Sequence, residues 1–528
     1  MIPGAAPIAA IPIAGVFGGA AAIGSQAEPG VWLAQIAAAA STVRASDRGW
    51  IGEPADTLNA NVNFPPRMVV PPALEKVLPL YPDNQRRLAI SAGELTLMNG
   101  DGELDALAGD WTVSGREVVI TRGPHRRPYH ADTSEFATIA RVVAASAAVG
   151  TSRLVLPLKP SARNLDIAIC DTYLGTGLAE GPAELLGIAK PQLYGIRRNI
   201  EPVLINAGSL IYQFHDGAAS TVLLVRDRGV ALAFGADRAN YAAMAATAPA
   251  TGYYDTCLAE GLIRVGATPS VLTMYARGST AEGGYVGSAA HIAQQILAGP
   301  GGIATANSAL FDWHTGEFGM LITGGTVAQA MESLAAGVFG WWGTDSDGGY
   351  YGGHIHPPEE LTASYSIASW MLAAPPREVS ALRAPWWRVH VGYQGLDKVQ
   401  TGEALAGAVS AADRDYFGRQ SRLVNASDAG VQAAYPVAED APDLISGFEN
   451  SSDAQILADL MLEIFSVPRR LFEVRIRAGA GGINWPAISL GTCVTLTWPN
   501  HVALASGRDL IVQGVSARGD DVTLSLWG

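Results

Sequence analysis

Near the end of the chain, Val522, Leu524 and Leu526 alternate with Thr523, Ser525 and Trp527. A period of two is the signature of a half-buried strand. Three earlier runs carry strand-like patterns, "RLFEVRIR" (470–477), "TCVTLTW" (492–498) and "DLIVQGV" (509–515). Four strands at this spacing, joined by short turns, predict a meander that curls into a small barrel or sandwich. A barrel leaves no free edge, so its last strand is paired rather than trailing as a loose tail.

The same reading applied upstream makes roughly the first 200 residues mainly β. Leu95 and Leu97 alternate with Thr96 and Met98, and Asn99-Gly100-Asp101-Gly102 then supplies residues that tolerate positive φ, which predicts a strand and a tight turn. "REVVITRG" (116–123) and "SRLVLPL" (152–158) are further strands. The Pro-rich run 54–72 excludes a helix and reads as an extended connector with edge-strand character. "VWLAQIAAAA" (31–40) fits a short helix or a docking arm.

The middle of the chain mixes periods. Residues 220–232 give two strands around Arg226-Asp227-Arg228-Gly229. Residues 287–299 place Ile292, Ile296 and Leu297 on one helical face. Thr326, with Gln329 three residues on, forms a capping-box signature for a helix over 326–338. Two aromatic-rich runs around Asp347-Gly348 predict a hairpin. Further on, 385–393 alternates, and 403–417 and 453–465 read as helices. The second of these helices carries a stripe of Ile456, Leu457, Leu460, Met461 and Ile464 and is stopped by Pro468.

Composition narrows the function. Charged residues make up only 16% of the 528, apolar residues 48%, and the net charge is −14. An acidic chain does not grip phosphates, although an acidic wall suits a surface that DNA slides past. Low charge also fits a surface covered by partners. Residues 1–24 carry no charge, lack the basic start of a signal peptide and are broken by Pro3, Pro7 and Pro12. They read as an extended arm lying on a neighbouring subunit. The three cysteines, Cys170, Cys257 and Cys493, share no CxxC and read as buried thiols.

Candidate chemistry is sparse. His354 and His356 form an H-x-H close to Asp345 and Asp347, and in a strand both rings share a face that could hold a metal. No third ligand is fixed by spacing, and a calcium loop begun at Asp345 would place His356, not Glu, at its twelfth position. Asp101, Glu103 and Asp105 could pose as a carboxylate cluster for glycoside chemistry, but they sit at a turn. Trp341-Trp342 and Trp386-Trp387 could stack on sugars or split between core and interface. No nucleophile elbow, HExxH or P-loop occurs. No catalytic, cofactor-binding or metal residue is assigned.

The ordered runs "GELTLMNGDGELDALA", "AELLGIAKPQLYGIRRNIEPVLINAGSLIYQFHDG", "YYDTCLAEGLIRVGATPS" and "VPRRLFEVRIR" through "GDDVTLSLWG" resemble the tail hub proteins of long-tailed bacteriophages and gene transfer agents. That group is similar in fold to the contractile-phage baseplate hub. The resemblance implies a mainly β protein with an α+β insertion. Its parts would be an arm (1–48), a first tube-like β-barrel (49–205), a mixed α+β domain (206–375) and a second β-barrel with inserted helices (376–528). It implies a homotrimer that adapts a sixfold tail tube to a threefold tip. The implied partners are a distal tail protein ring, a tape measure protein, a central fibre or spike, and genomic DNA passing without specific binding. The location would be the virion tail tip, assembled in the bacterial host cytoplasm, with no enzymatic role. The residues singled out are structural: Asn99, Gly100, Asp101 and Gly102 at the first turn, and Val522, Leu524, Leu526 and Trp527 in the closing strand. The rival readings are a receptor- or glycan-binding tail-tip protein, a glycan-degrading enzyme using the Trp pairs, and a membrane-inserting module led by residues 1–24.

Overall fold

A computed structural model describes residues 30–78, 87–108, 112–125, 132–160, 165–281, 284–302, 310–344, 349–379, 383–477, 485, 488–519 and 521–528. The N-terminal arm over residues 1–29 and the hairpin turn with Asp345 and Asp347 lie outside them. The fold is mostly β, with several sheets and a few helices.

The alternating run at the C-terminus is a strand, Asp521–Trp527, and it lies inside a sheet rather than at its edge. It pairs antiparallel with Leu471–Arg477 on one side and with Arg508–Arg518 on the other. Val522, Leu524 and Leu526 are fully buried. The sheet continues through Cys493–Leu496 and Tyr365–Ile367 at one end and Arg377–Glu378 at the other, a nearly closed, barrel-like order. The last strand is secured on both edges, as the meander reading requires.

Two further strands of this sheet come from far upstream. Leu74–Val77 pairs antiparallel with the distal half of the long strand Arg508–Arg518, with Val77 opposite Gly514 and Leu74 opposite Ala517. Ala89–Ser91 then pairs with Leu74–Val77. The strands Leu74–Val77 and Ala89–Ser91 were expected in the first barrel; they belong to the last sheet. The long strand has 11 residues and Cys493–Leu496 covers only its first part. The uncovered backbone groups need partners, and Leu74–Val77 supplies them.

The first sheet runs Thr42–Ser46, Gly30–Ala37, Glu117–Pro124, Ala137–Ala144, Arg153–Pro160, Glu94–Met98, Met68–Val70. The Pro-rich run 54–72 supplies the edge strand Met68–Val70, and its Asn63–Phe64 pairs separately with Trp50–Ile51. Residues 31–37 are not a helix, and the stretch to residue 46 is no arm: Gly30–Ala37 is a central strand with partners on both sides. Its Val31 and Leu33 pack with Trp50 and Phe64, while Trp32, Ala34 and Ile36 face the main core. A strand buried on both faces is a continuous apolar run, and periodicity cannot separate it from a buried helix.

The middle β unit also starts earlier than residue 206. Gln192–Ile200 lies in a sheet ordered Val230–Ala231, Ala219–Asp227, Leu272–Ala281, Gln192–Ile200, Gly319–Ile322. A second sheet holds Val203–Asn206, Ile211–Gln213, Leu262–Val265, Tyr253–Cys257 and Ala233–Asp237. The two sheets share an apolar cluster around Met274, to which the second contributes Tyr212, Tyr254, Ile263 and Val265, and the second sheet also packs on a cluster around Met244. At its other end the expected boundary at 375 also shifts, because Tyr365–Ile367 belongs to the last sheet.

The helices follow their caps. Val327–Gly337 begins with the full capping box: Gln329 N–H donates to Thr326 Oγ1, and Thr326 N–H donates to Gln329 Oε1. Ile292, Ile296 and Leu297 of Ala289–Ala298 are fully buried. In Ser451–Phe465 the buried stripe is Ala454, Leu457, Ala458, Met461 and Ile464, while Ile456 points away and is 51% exposed. The helix expected over 403–417 is real only from Ala411 to Phe417, because Ser410 caps it by accepting from Asp413 N–H.

These contacts predict unequal costs along the closing strand. Leu524→Ala should lose about 3 kcal/mol, the usual cost of a fully buried leucine. Thr523→Ala, on the half-exposed face, should lose less than about 1 kcal/mol. Paired urea titrations would check the contrast.

Candidate functional site

The first turn is a lock built around Asn99. Asn99 Oδ1 accepts from Leu104 N–H at 2.8 Å, and its Nδ2 donates to Asp105 Oδ1 at 2.7 Å. Arg67, on the neighbouring connector, grips Asp101 with both guanidinium ends at 2.9 and 2.6 Å and also reaches Glu103. The Arg67 hydrogen bond, followed by Glu103 N–H, holds the Asp101 carboxyl down at about 2. A permanently charged, arginine-bound carboxylate cannot act as a general acid near neutral pH. Gly102 sits at φ 72, which the turn requires. The trio Asp101, Glu103, Asp105 is thus brought together, and its contacts are those of a turn.

The tryptophan pairs are not laid out for sugars. Trp342 is fully buried, and Trp341 and Trp386 are below 10% exposed. Trp342 stacks on Tyr350, and Trp386 packs against Phe465. Trp387 lies under the Arg388 guanidinium, 4.6 Å from its ring.

His354 and His356 do share a site. Their rings are 3.9 Å apart, and Trp313 lies 4.4 Å from His354. Burial, then His356 and His314, push the His354 imidazole down to about 3. Sequence spacing missed His314, which is committed elsewhere: its Nδ1 accepts from Gly316 N–H, and its Nε2 contacts the Asp453 carbonyl. Among the described residues, no group of three His, Cys, Asp or Glu is placed to hold a metal ion. The three cysteines are buried and unpaired, with thiols pushed up to about 11 chiefly by burial. No described helix is long and apolar enough to cross a membrane.

A densely wired polar cluster was invisible in the sequence. It ties the middle β unit to the last part of the chain. A register shift between Arg197 and Ile200 interrupts the pairing of Gln192–Ile200 with its neighbour, and Asn199 adopts φ 50. Irregularities of this kind re-aim side chains. Arg198 then forms an ion pair with Glu449, which also accepts from Tyr275 OH at 3.0 Å and Gln394 Nε2 at 3.3 Å. The Arg198 guanidinium lies 4.1 Å from the Tyr275 ring. Asn199 Nδ2 donates to Gln400 Oε1, and Arg197 pairs with Asp397 at 2.5 Å. Backbone bonds from Asp397 and Lys398 to Arg198 and Asn199 complete the clamp. Beside it, Arg197, Asp397, Gly319–Ile322 and one face of the helix Val327–Gly337 line an open cleft of about 410 Å³.

No family model matches the chain. No curated protein matches it either. Among solved structures it is similar to a tail protein from Neisseria meningitidis MC58, with 10% identity, a TM-score of 0.39, and coverage of 94% of this chain and 96% of that one. It is likewise similar to the 43 kDa tail protein of prophage MuSo2 from Shewanella oneidensis, with 8% identity, a TM-score of 0.39, and coverage of 95% and 98%. A chain of the p2 virion baseplate in its activated conformation aligns at 7% identity and a TM-score of 0.23, over 94% and 98%. These structural neighbours are phage tail and baseplate proteins. At such scores the likeness carries no functional weight, and the function rests on the chain's own residues.

Two outcomes test the site. Glu449→Ala should cost roughly 3 kcal/mol by stranding Arg198 in a half-buried position, read as a lower urea midpoint with earlier proteolysis between the middle unit and residues 394–400. His354 and His215 are both held neutral, with pKa values down at about 3 and about 4 against an ordinary 6.5. The unfolded chain therefore binds more protons below 6.5, so stability should fall as pH drops from about 6.5 toward 4. His354→Gln should flatten part of that fall in midpoints measured at pH 7 and pH 5.

Proposed function

We propose that this chain is a structural component of a bacteriophage tail tip or baseplate, a ring-forming hub without catalytic chemistry. The single observation that supports it most is the shared sheet. Leu74–Val77, from the N-terminal β half, pairs with Arg508–Arg518 of the C-terminal meander, so the two β-rich ends lie side by side. Tube-like modules set next to one another are what a subunit needs to contribute two positions to a ring.

In this reading three copies present six β modules to a sixfold tube and a threefold tip. The acidic balance, −14, suits a channel wall that DNA passes without sticking. The neighbours in such an assembly would be a distal tail protein ring, a tape measure protein and a central fibre or spike. The location would be the virion tail tip, reached after assembly in the host cytoplasm. Candidate chemistries elsewhere in the chain are engaged in structure: Asp101 by Arg67, and Trp341, Trp342 and Trp386 by the core.

Mass measurement of the purified protein in solution, across a concentration series, tests the reading. A trimer is the expected result, and a chain that stays monomeric at every concentration would count against it. Deleting residues 522–528 removes the interior strand and exposes the edges of Leu471–Arg477 and Arg508–Arg518. The truncated protein should lose ring assembly, and a stable trimer without those residues would overturn the proposal.

A further inference from the structure

The segment between the first sheet and the middle unit is an Ω-like loop closed at its neck. Lys190 N–H donates to the Asp171 carbonyl at 2.8 Å, Tyr173 N–H to Ile188 at 2.9 Å and Gly187 N–H to Tyr173 at 2.9 Å. Its tip is tied by Gly177 N–H to the Gly181 carbonyl at 2.7 Å. Glu180 is turned inward, where it accepts from Lys190 Nζ at 2.8 Å and from Leu174 N–H at 3.1 Å. Tyr173 is fully buried, with Ala179 and Leu185 packed against the same cluster.

This stiff frame holds four aliphatic side chains outward. Leu174 is 59% exposed, Leu178 72%, Leu186 67% and Ile188 51%. Leu178 does so at φ 57, a conformation that L residues rarely adopt. The loop has inward room for apolar groups, since Leu185 uses it, yet these four do not take it. Exposed aliphatics held on a fixed frame mark a contact surface.

The occupant is argued from the rest of the chain. Residues 1–24 carry no charge, and Ile2, Ile8, Ile11, Ile13, Val16 and Phe17 supply apolar side chains. Pro3, Pro7 and Pro12 bar a continuous helix. The segment enters the fold at Gly30, the start of a central strand. Twenty-nine residues can span up to about 100 Å when extended, against a width of roughly 60 Å for a globule of this length. The segment can therefore leave its own subunit. Two copies at −14 each repel, and a charge-free segment joins them without adding to that repulsion.

We infer that residues 1–24 of one copy dock on the loop crown Leu174, Leu178, Leu186 and Ile188 of a second copy. The inference rests on the self-association proposed above and adds which surfaces meet.

The test places a photo-cross-linker on the crown, Leu186→p-benzoylphenylalanine, in an equal mixture of 14N- and 15N-labelled full-length protein whose mass is measured in parallel. The expected product is a cross-link to the tryptic peptide 1–44 that carries mixed isotopes, lost when Leu174 and Leu178 are both changed to Asp. A cross-link of matched isotopes only would mean that each arm covers its own loop and would overturn the inference. Assembled protein with no cross-link to peptide 1–44 would also overturn it while leaving the ring reading intact. Protein that is monomeric throughout would overturn both.

Discussion

The long strand Arg508–Arg518 is the constraint on which the rest of the molecule depends. Backbone N–H and C=O groups in a core must find partners, and this strand has 11 residues of them on two edges. The closing strand Asp521–Trp527 satisfies one edge along most of its length. The other edge is divided: Cys493–Leu496 covers residues 508–511, and Leu74–Val77 covers 514–517. The ladder with the closing strand is irregular between Val512 and Gly514, where the second edge changes partner. Gln513 C=O, at the change, accepts from Leu78 N–H at 2.6 Å. The chain's two ends are joined because one strand is longer than any single neighbour.

The sequence pattern was legible wherever one face was wet. The closing meander, the strand Glu94–Met98 with its turn, the hairpin at Arg228-Gly229 and the capping box at Thr326 all follow from local period or local polar chemistry. It failed where burial is two-sided, as in Gly30–Ala37, whose unbroken apolar run carries no period. It failed again at Leu74–Val77, four residues with two central charges, whose strand state exists only because a distant edge recruits them. Ile456 was misassigned because helical spacing shows which residues share a face, not how wide the covering surface is. The lock on Asp101 could not be read from the turn alone, since Arg67 approaches from a different strand connection. The Arg198–Glu449 clamp had no signal at all: its partners are scattered, and the irregularity that aims Arg198 appears only in the sheet.

The clamp and the shared sheet act on the same problem from opposite sides. Gln192–Ile200 pairs near its start with Gly319–Ile322 and near its end with Leu272–Ala281, and its last residues also bind 396–400. The middle β unit is thereby fixed to the part of the chain that follows it rather than hung on a linker. The wall of the 410 Å³ cleft carries the Arg197–Asp397 pair and sits next to the half-buried Arg198–Glu449 pair. Opening it would separate charges in a partly dry site, which is costly. The cleft wall is thus held by ion pairs, and exposed aliphatics occur away from it, among them Leu174, Leu178, Leu186 and Ile188 on the loop 171–190 and Ile456 on Ser451–Phe465.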